Sequence, residues 1–380
     1  MLRRSLRSSL FITTPKKCSF NILVVIICLW IVVGFMCWLI LLNNNDVSSA
    51  KAGLTFLTTG NSGCGHSCQI LRVHGPDPYA GFGTLIFLYP INFLLYAEKH
   101  NMYLWIDYMP SFNDKYYDPA HGNNMWEYWM EPMIPPLDCN FWISKIEVLT
   151  KEQIFPGIHY RFKEGVRAWY YGDIERERFK GKYEIYDEQW YYQNRVKASN
   201  IVTKYSFQNK IKSHIMHEID IFFNEHLRGY KHILGVHMRG TDKAAHRRAI
   251  LPDEYIPYIT NFIDFFGTQH TMVFVATDDL LYVEMLFHNL QTPYKDKIVM
   301  QSNITRGTKG SAIFDLKDIS KYEIGKQVLT DIILLSRCTW LVHSASAVSE
   351  AAIYNNIHLH NHSVHLEYTK NRQTPFWFKS

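Results

Sequence analysis

Residues 231–252, KHILGVHMRGTDKAAHRRAILP, set a run of reactive side chains directly behind an apolar one. Ile233, Leu234, Val236 and Met238 read as a buried strand. That strand stops at once in Arg239, Gly240, Thr241, Asp242 and Lys243. Charge, glycine and hydroxyl at the end of a buried strand make the floor of a site in an α/β sheet, where ligands sit off the carboxyl ends of the strands. Arg239 offers a planar fork of donors suited to phosphate. Gly240 permits close backbone approach, and His237, two residues before Arg239, shares its face. A strand that merely surfaces into a basic loop has the same composition.

Three other stretches carry related chemistry. Residues 274–279, FVATDD, end an apolar run in Asp278 and Asp279, either as strand-end carboxylates or as a helix cap with an acidic first turn. Residues 328–352, VLTDIILLSRCTWLVHSASAVSEAA, read as a helix carrying Asp331, then a strand, then a Ser-rich turn into a second helix. Ser344 and Ser346 lie in that turn, where hydroxyls and N–H groups can receive phosphate. Residues 79–108 open on Gly81 and Gly83 ahead of an apolar helix over 84–98, stopped by His100 and Asn101, and a strand over 102–107. A glycine turn at a helix start can take an anion on its N–H groups; it is also an ordinary tight turn.

The elements that must position these groups follow from periodicity. Two helices are expected between 187 and 227. After Pro252 the pattern alternates: helix 253–266, strand 271–277, helix 280–290, strand 298–301, helix 321–338, strand 340–344, helix 347–355 and a last strand 357–359. Such alternation predicts a parallel, doubly wound sheet. Residues 108–178 are rich in aromatics and proline, including Trp126, Trp129, Trp142 and Trp169. Aromatics there suit either sugar stacking or packing, and this stretch is where acceptor choice would reside.

GVHMRGTDK resembles the GVHxRRTDK signature of the α-1,6-fucosyltransferases and their bacterial nodulation relatives. In that family the His and first Arg hold the diphosphate of GDP-fucose, roles the resemblance assigns to His237 and Arg239. Asp242 and Lys243 match the same signature, while the second Arg of the pair is Gly240 here. FVATDD is similar to the family's VxVATDD, placing Asp278 and Asp279 at the donor. A helix with an LDIxxLS run follows, whose Asp reads guanine and corresponds to Asp331. The strand ending in Ser or Thr before a helix corresponds to Ser344 and Ser346. GFGT, with Gly81 and Gly83, resembles the family's GFGxQ turn without its Gln. The resemblance covers 235–352 and implies a GT-B-like α/β fold, two Rossmann-like domains facing a cleft; the N-terminal sequence adds a single transmembrane helix ahead of them.

Transfer from such a donor breaks a bond between sugar and diphosphate. The charge on the leaving group is met either by a divalent metal or by fixed cations and N–H donors. The chain contains no Asp-x-Asp pair, so departure on Arg239, without metal or cofactor, is expected. The α-1,6 enzymes place a Glu four residues after the Lys of TDK; this chain has Arg247 there. His246 is the candidate general base, with Glu254, Asp242 or a group from the first domain as alternatives. The change argues for a different acceptor or linkage. Donor-half motifs also suit a transferase using another nucleotide sugar, or a signal-anchored binding protein.

The first residues are basic, and residues 22–42 then run without charge or proline. That is about the length needed to cross a bilayer, and the basic side predicts a cytosolic N-terminus and an uncleaved signal anchor. The expected divisions are a cytosolic tail 1–21, a span 22–42, a stem 43–62, an acceptor-side α/β domain 63–230 and a GDP-sugar-binding domain 231–380. Lumenal sequons at Asn303 and Asn361 fit, as does the even count of Cys64, Cys68, Cys139 and Cys338, whose pairing sequence leaves open. A zinc site using His66 and His74 matches no standard spacing. The net charge of +5 owes much to the tail and points to no nucleic-acid partner. The expected partners are GDP-fucose, a glycan or glycoprotein acceptor and the Golgi or ER membrane.

Overall fold

A computed structural model describes residues 66–74, 80–109, 115–133, 141–149, 165–167, 188–240, 249–302, 306–307, 319–367 and 374–379. The expected span at 22–42, Asp242, Lys243, His246, Arg247, Asn303, Cys64 and Cys139 lie outside these residues. No helix among the described residues is long and apolar enough to cross a membrane. Ser67–Pro135 and Trp142–Ser380 form one compact unit.

A five-stranded sheet organises the second half. Its strands are β4 (His232–Met238), β5 (Thr271–Thr277), β6 (Ile298–Val299), β7 (Trp340–His343) and β8 (Ser363–His365). Their order is β6-β5-β4-β7-β8, and every neighbouring pair is parallel. The helices between them are α4 (Pro252–Phe266), α5 (Leu280–Asn289), α6 (Lys321–Ser336) and α7 (Ala347–Asn355). From β4 the chain winds one way through β5 and β6, then returns through α6 to β7 on the other side. The reversal falls between β4 and β7, the place where doubly wound sheets take ligands.

β4 is buried from Ile233 to Met238 because helices cover both of its faces. Leu234, Val236 and Met238 join a core with Ile259, Phe262, Val273 and Val275. Ile233 joins a second core with Leu329, Ile332, Ile333 and Ala351. Gly235 lies between the residues of that face, where an added Cβ would come within 3.1 Å of Cys338 Sγ and Leu335 Cδ2. The missing side chain lets the end of α6 lie close against β4. Cys338 is itself buried and free, so it takes no part in the disulfide framework envisaged for the four cysteines.

A smaller sheet orders β1 (His66–His74), β2 (Tyr103–Asp107) and β3 (Phe141–Leu149) as β2-β1-β3, with β1 and β2 parallel. Between β1 and β2 a π-helical turn, Thr84–Leu88, runs into α1, Tyr89–Lys99, with Pro90 in its first turn where no N–H is required. Asn101 ends the segment with φ 54°, a conformation Asn tolerates. α2 (Glu188–Lys204) and α3 (Ser213–His226) occupy the expected two-helix region, joined by a one-turn helix at Phe207–Lys210.

Two expectations need correction. The last strand is not 357–359 but Ser363–His365; Ile357–His360 is a 3₁₀ turn. Leu359 N–H bonds Asn356 O at 3.0 Å and His362 N–H bonds Leu359 O at 3.1 Å, turning the chain back before it reaches the sheet edge. Leu359 and His360 are buried because they pack under this turn, not because they pair. The aromatic stretch, to which the sequence pattern assigns no element, also contains a strand, β3. Trp126 and Trp129 are buried packing residues; Trp129 Nε1 donates to Tyr322 O on α6 at 3.0 Å.

Candidate functional site

Arg239 follows β4 directly, and its guanidinium pairs with Asp278, the residue that follows β5. β4 and β5 run in register, Met238 opposite Thr277, so the next residues of each strand emerge side by side. Asp278 Oδ1 also accepts from Gly240 N at 2.9 Å. One carboxylate therefore fixes both the side chain and the turn behind it. The neighbouring Asp279 instead caps α5, its Oδ1 accepting from Leu281 N at 2.9 Å. Of the two readings of that acidic pair, cap and strand-end carboxylate, the structure gives one to each residue.

Gly240 is glycine for a steric reason. A Cβ there would overlap Asp279 Cβ and lie 2.8 Å from its Cγ, and Asp279 is buried. An arginine at 240, as in the resembling family, would displace the cap of α5.

His237 lies at the end of β4, opposite His343 of β7. The buried Ser349 of α7 stands 2.9 Å from His237 Nδ1 and donates to Ser344 O at 3.2 Å. With that proton committed to Ser344 O, the hydroxyl accepts from Nδ1–H, which sets the tautomer of the ring. Tyr255 of α4 donates to His237 O at 3.2 Å. Ser349 was not singled out by sequence; its only signal is its place five residues after Ser344, within the first turn of α7.

The Ser-rich turn leaves β7 beside β4. Ser344 is buried, and Ser346 caps α7, its Oγ accepting from Val348 N at 3.2 Å. Ser346 thus serves the helix directly, and the α7 N-terminus, with its positive dipole end, is the anion-facing feature. Gly83 packs against this same terminus: a Cβ there would sit 2.8 Å from Ala347 C and 3.0 Å from Val348 N. Gly81 has open space around it. The two glycines so separate into one that permits close approach and one that lies at an exposed turn.

Asp331, halfway along α6, accepts from Gln301 Nε2 at 2.5 Å. Burial pushes its carboxyl up to about 7, and the Asp278 charge adds to that, while the Gln301 bond and Arg306 oppose it. Asp331 thereby feels the charge of the carboxylate that holds Arg239. His237, Arg239, Asp278, Asp331, Ser344, Ser346 and Gly83 are brought to the carboxyl ends of β4, β5 and β7. Gly81 and Asp279 support the turns around them. The arrangement provides a held guanidinium, a helix N-terminus and a half-buried carboxylate, which together suit a ligand with an anionic part and a hydrogen-bond-donating part. Among the described residues, no three His, Cys, Asp or Glu side chains converge to hold a metal ion.

No family model matches the chain, and no curated protein matches it in sequence. Solved structures do. Fucosyltransferase NodZ from Bradyrhizobium is 16% identical, with 76% of this chain and 93% of that chain covered and a TM-score of 0.41. FUT1 from Arabidopsis thaliana in complex with GDP is 13% identical, covering 86% and 76%, with a TM-score of 0.40. POFUT1 in complex with GDP is 12% identical, covering 77% and 95%, with a TM-score of 0.37.

Proposed function

We propose that the chain is a glycosyltransferase that moves fucose from GDP-fucose to a glycan or glycoprotein, built as a type II membrane protein of GT-B-like architecture. The observation that carries the reading is the held Arg239 at the β4–β7 reversal, inside a sequence string that resembles a fucosyltransferase signature. The acceptor hydroxyl attacks the anomeric carbon from the face opposite the phosphate. The carbon–oxygen bond to the diphosphate breaks, GDP departs, and the hydroxyl proton passes to a base, for which His246 is the candidate. Arg239 and the α7 N-terminus meet the negative charge that develops on the leaving diphosphate, with no metal in the step. Asp331 takes the guanine. In this reading residues 63–230 form the acceptor side and 231–380 the donor side.

The test is nucleotide competition on full-length protein purified in detergent, offered GDP-fucose and an acceptor panel of glycans and glycopeptides. Fucose transfer inhibited by GDP and not by UDP supports the proposal; inhibition by UDP instead points to another nucleotide sugar. A binding-only role is the rival favoured by Arg247 in place of the family's Glu. It predicts GDP binding with neither transfer nor donor hydrolysis.

A further inference from the structure

Arg306 belongs to none of the motifs, yet it reaches the same strand ends. Its neighbour Gly307 is tied to the end of β5: Gly307 N donates to Asp278 O at 2.8 Å, and Leu280 N donates to Gly307 O at 3.0 Å. Arg306 is therefore fixed beside the residue that holds Arg239. Gln301 then links it to Asp331. Arg306 Nη2 donates to Gln301 O at 3.4 Å, and Gln301 Nε2 donates to Asp331 Oδ1 at 2.5 Å and to Gln327 O at 3.1 Å. One glutamine thus sets the positions of a cation and an anion.

The two charges feel each other but form no ion pair among the described residues. Arg306 Nε is buried and has no hydrogen-bond partner among them. Opposite charges that share a desolvated space without closing on each other are costly. A ligand inserted between them, accepting from the arginine and donating to the carboxylate, would remove that cost. Burial shifts both groups toward their neutral forms, Arg306 downward and Asp331 upward.

We infer that Arg306 reads the 6-oxo edge of the donor's guanine while Asp331 takes its N1–H and 2-amino group. Guanine carries O6 and N7 as adjacent acceptors, the pattern an arginine fork matches, and an amino donor on the opposite edge. Adenine carries an amine where Arg306 needs an acceptor, and uracil lacks the second ring and its N7. The inference rests on the nucleotide-sugar reading above; Asp331's part comes with the resemblance, and Arg306 adds a contact the motifs do not contain.

The experiment measures dissociation constants by calorimetry for full-length protein with four probes. These are GDP, IDP (6-oxo kept, 2-amino lost), 2,6-diaminopurine riboside diphosphate (2-amino kept, 6-oxo replaced by an amine and N1–H lost with it) and UDP. Wild type should bind GDP at least about tenfold more tightly than the diaminopurine nucleotide, the scale of one good base contact. This arm reads the 6-oxo and N1–H contacts together, and the Arg306 variants separate them. Arg306→Gln should lose at least about tenfold for GDP and IDP alike and clearly less for the diaminopurine nucleotide, which keeps only N7 for the fork. Arg306→Lys, which keeps the charge and loses the fork, should lose the 6-oxo preference in part. Asp331→Asn should cost more with GDP than with IDP. Equal wild-type affinity for GDP and the diaminopurine nucleotide would overturn the inference. So would an equal loss by Arg306→Gln across all four probes, which would assign Arg306 to the diphosphate. Failure of wild type to bind GDP at all would instead overturn the nucleotide-sugar reading itself.

Discussion

Arg239 is held at the end of β4 by the carboxylate that follows the neighbouring strand. Asp278 holds its guanidinium and the N–H of Gly240 together, and the bare Cα of Gly240 lies against Asp279. Gly240→Ala should therefore destabilise the protein by about 1–3 kcal/mol, the usual cost of overpacking, and lower donor affinity along with it. Thermal unfolding and GDP titration of the same preparation check this. Unchanged stability would mean that Asp279 moves freely, contrary to its role as the α5 cap. Asp331 supplies a second residue-scale prediction. Its carboxyl is raised to about 7, and the guanine contact proposed for it requires the ionised form, so GDP affinity should fall as pH drops through 7, by up to about tenfold per unit. Arg306 and Asp278 are the charged groups facing it. Calorimetry from about pH 5.5 to about pH 8 (a range set by the usual carboxylate and histidine values) should show this slope in wild type and its loss in Asp331→Asn. At this scale, His237, Arg239 and Asp331 were legible because each lies in a contiguous string. Ser349, Gln301 and Arg306 were not, because only the fold brings them to the strings.

α7 is the element on which the site depends most. Its N-terminus meets Gly83 and Ser349 meets His237, so its position sets the geometry of the anion-facing end. A buried pair locks it from behind. Arg195 of α2 donates to both carboxylate oxygens of Glu350, at 2.9 and 2.5 Å, and stands 3.0 Å from His360 Nδ1. Burial, with the Arg195 charge, holds His360 down to about 4, so that ring is neutral and accepts from the arginine. Glu350→Gln leaves a buried guanidinium without its counter-charge. It should cost about 3–5 kcal/mol of stability, read as a shifted denaturant midpoint. A change below about 1 kcal/mol, the scale of an exposed pair, would show that water reaches Arg195. Helices α4, α5 and α7 were readable almost to the residue, since α4 lies between Pro252 and Gly267, Asp279 caps α5 and Ser346 caps α7. β1 and β3 were not: β3 lies in aromatic- and proline-rich sequence whose pattern does not alternate. The strand at 363–365 was displaced by the apolar character of Ile357 and Leu359, which comes from helix-turn packing.

In the proposed reading the whole molecule carries this site on an anchor expected at 22–42, with the site in a secretory compartment. If that topology holds, glycosidase treatment of protein made in a secretory cell should lower its mass through Asn303 or Asn361. Asn361 is exposed, shortly before β8, and so open to modification. A cytosolic product with both sites unmodified would contradict the topology and leave the site chemistry standing. The parallel, helix-connected character of the larger sheet was legible from strand–helix alternation alone. The reversal between β4 and β7 was not, because alternation fixes the crossovers without fixing which side each strand joins.

The claim on which the rest depends is that Arg239 stabilises the departing diphosphate. It is tested most directly by GDP release from GDP-fucose in the presence of acceptor and chelator, comparing wild type with Arg239→Lys. Lysine keeps the charge but loses the fork, and removal of one fixed donor to a developing oxyanion costs about 10²–10³ in rate. The account predicts a wild type that ignores the chelator and a variant slower by at least that factor. Equal rates would remove Arg239 from the mechanism, and a wild type silenced by the chelator would return the leaving-group role to a metal.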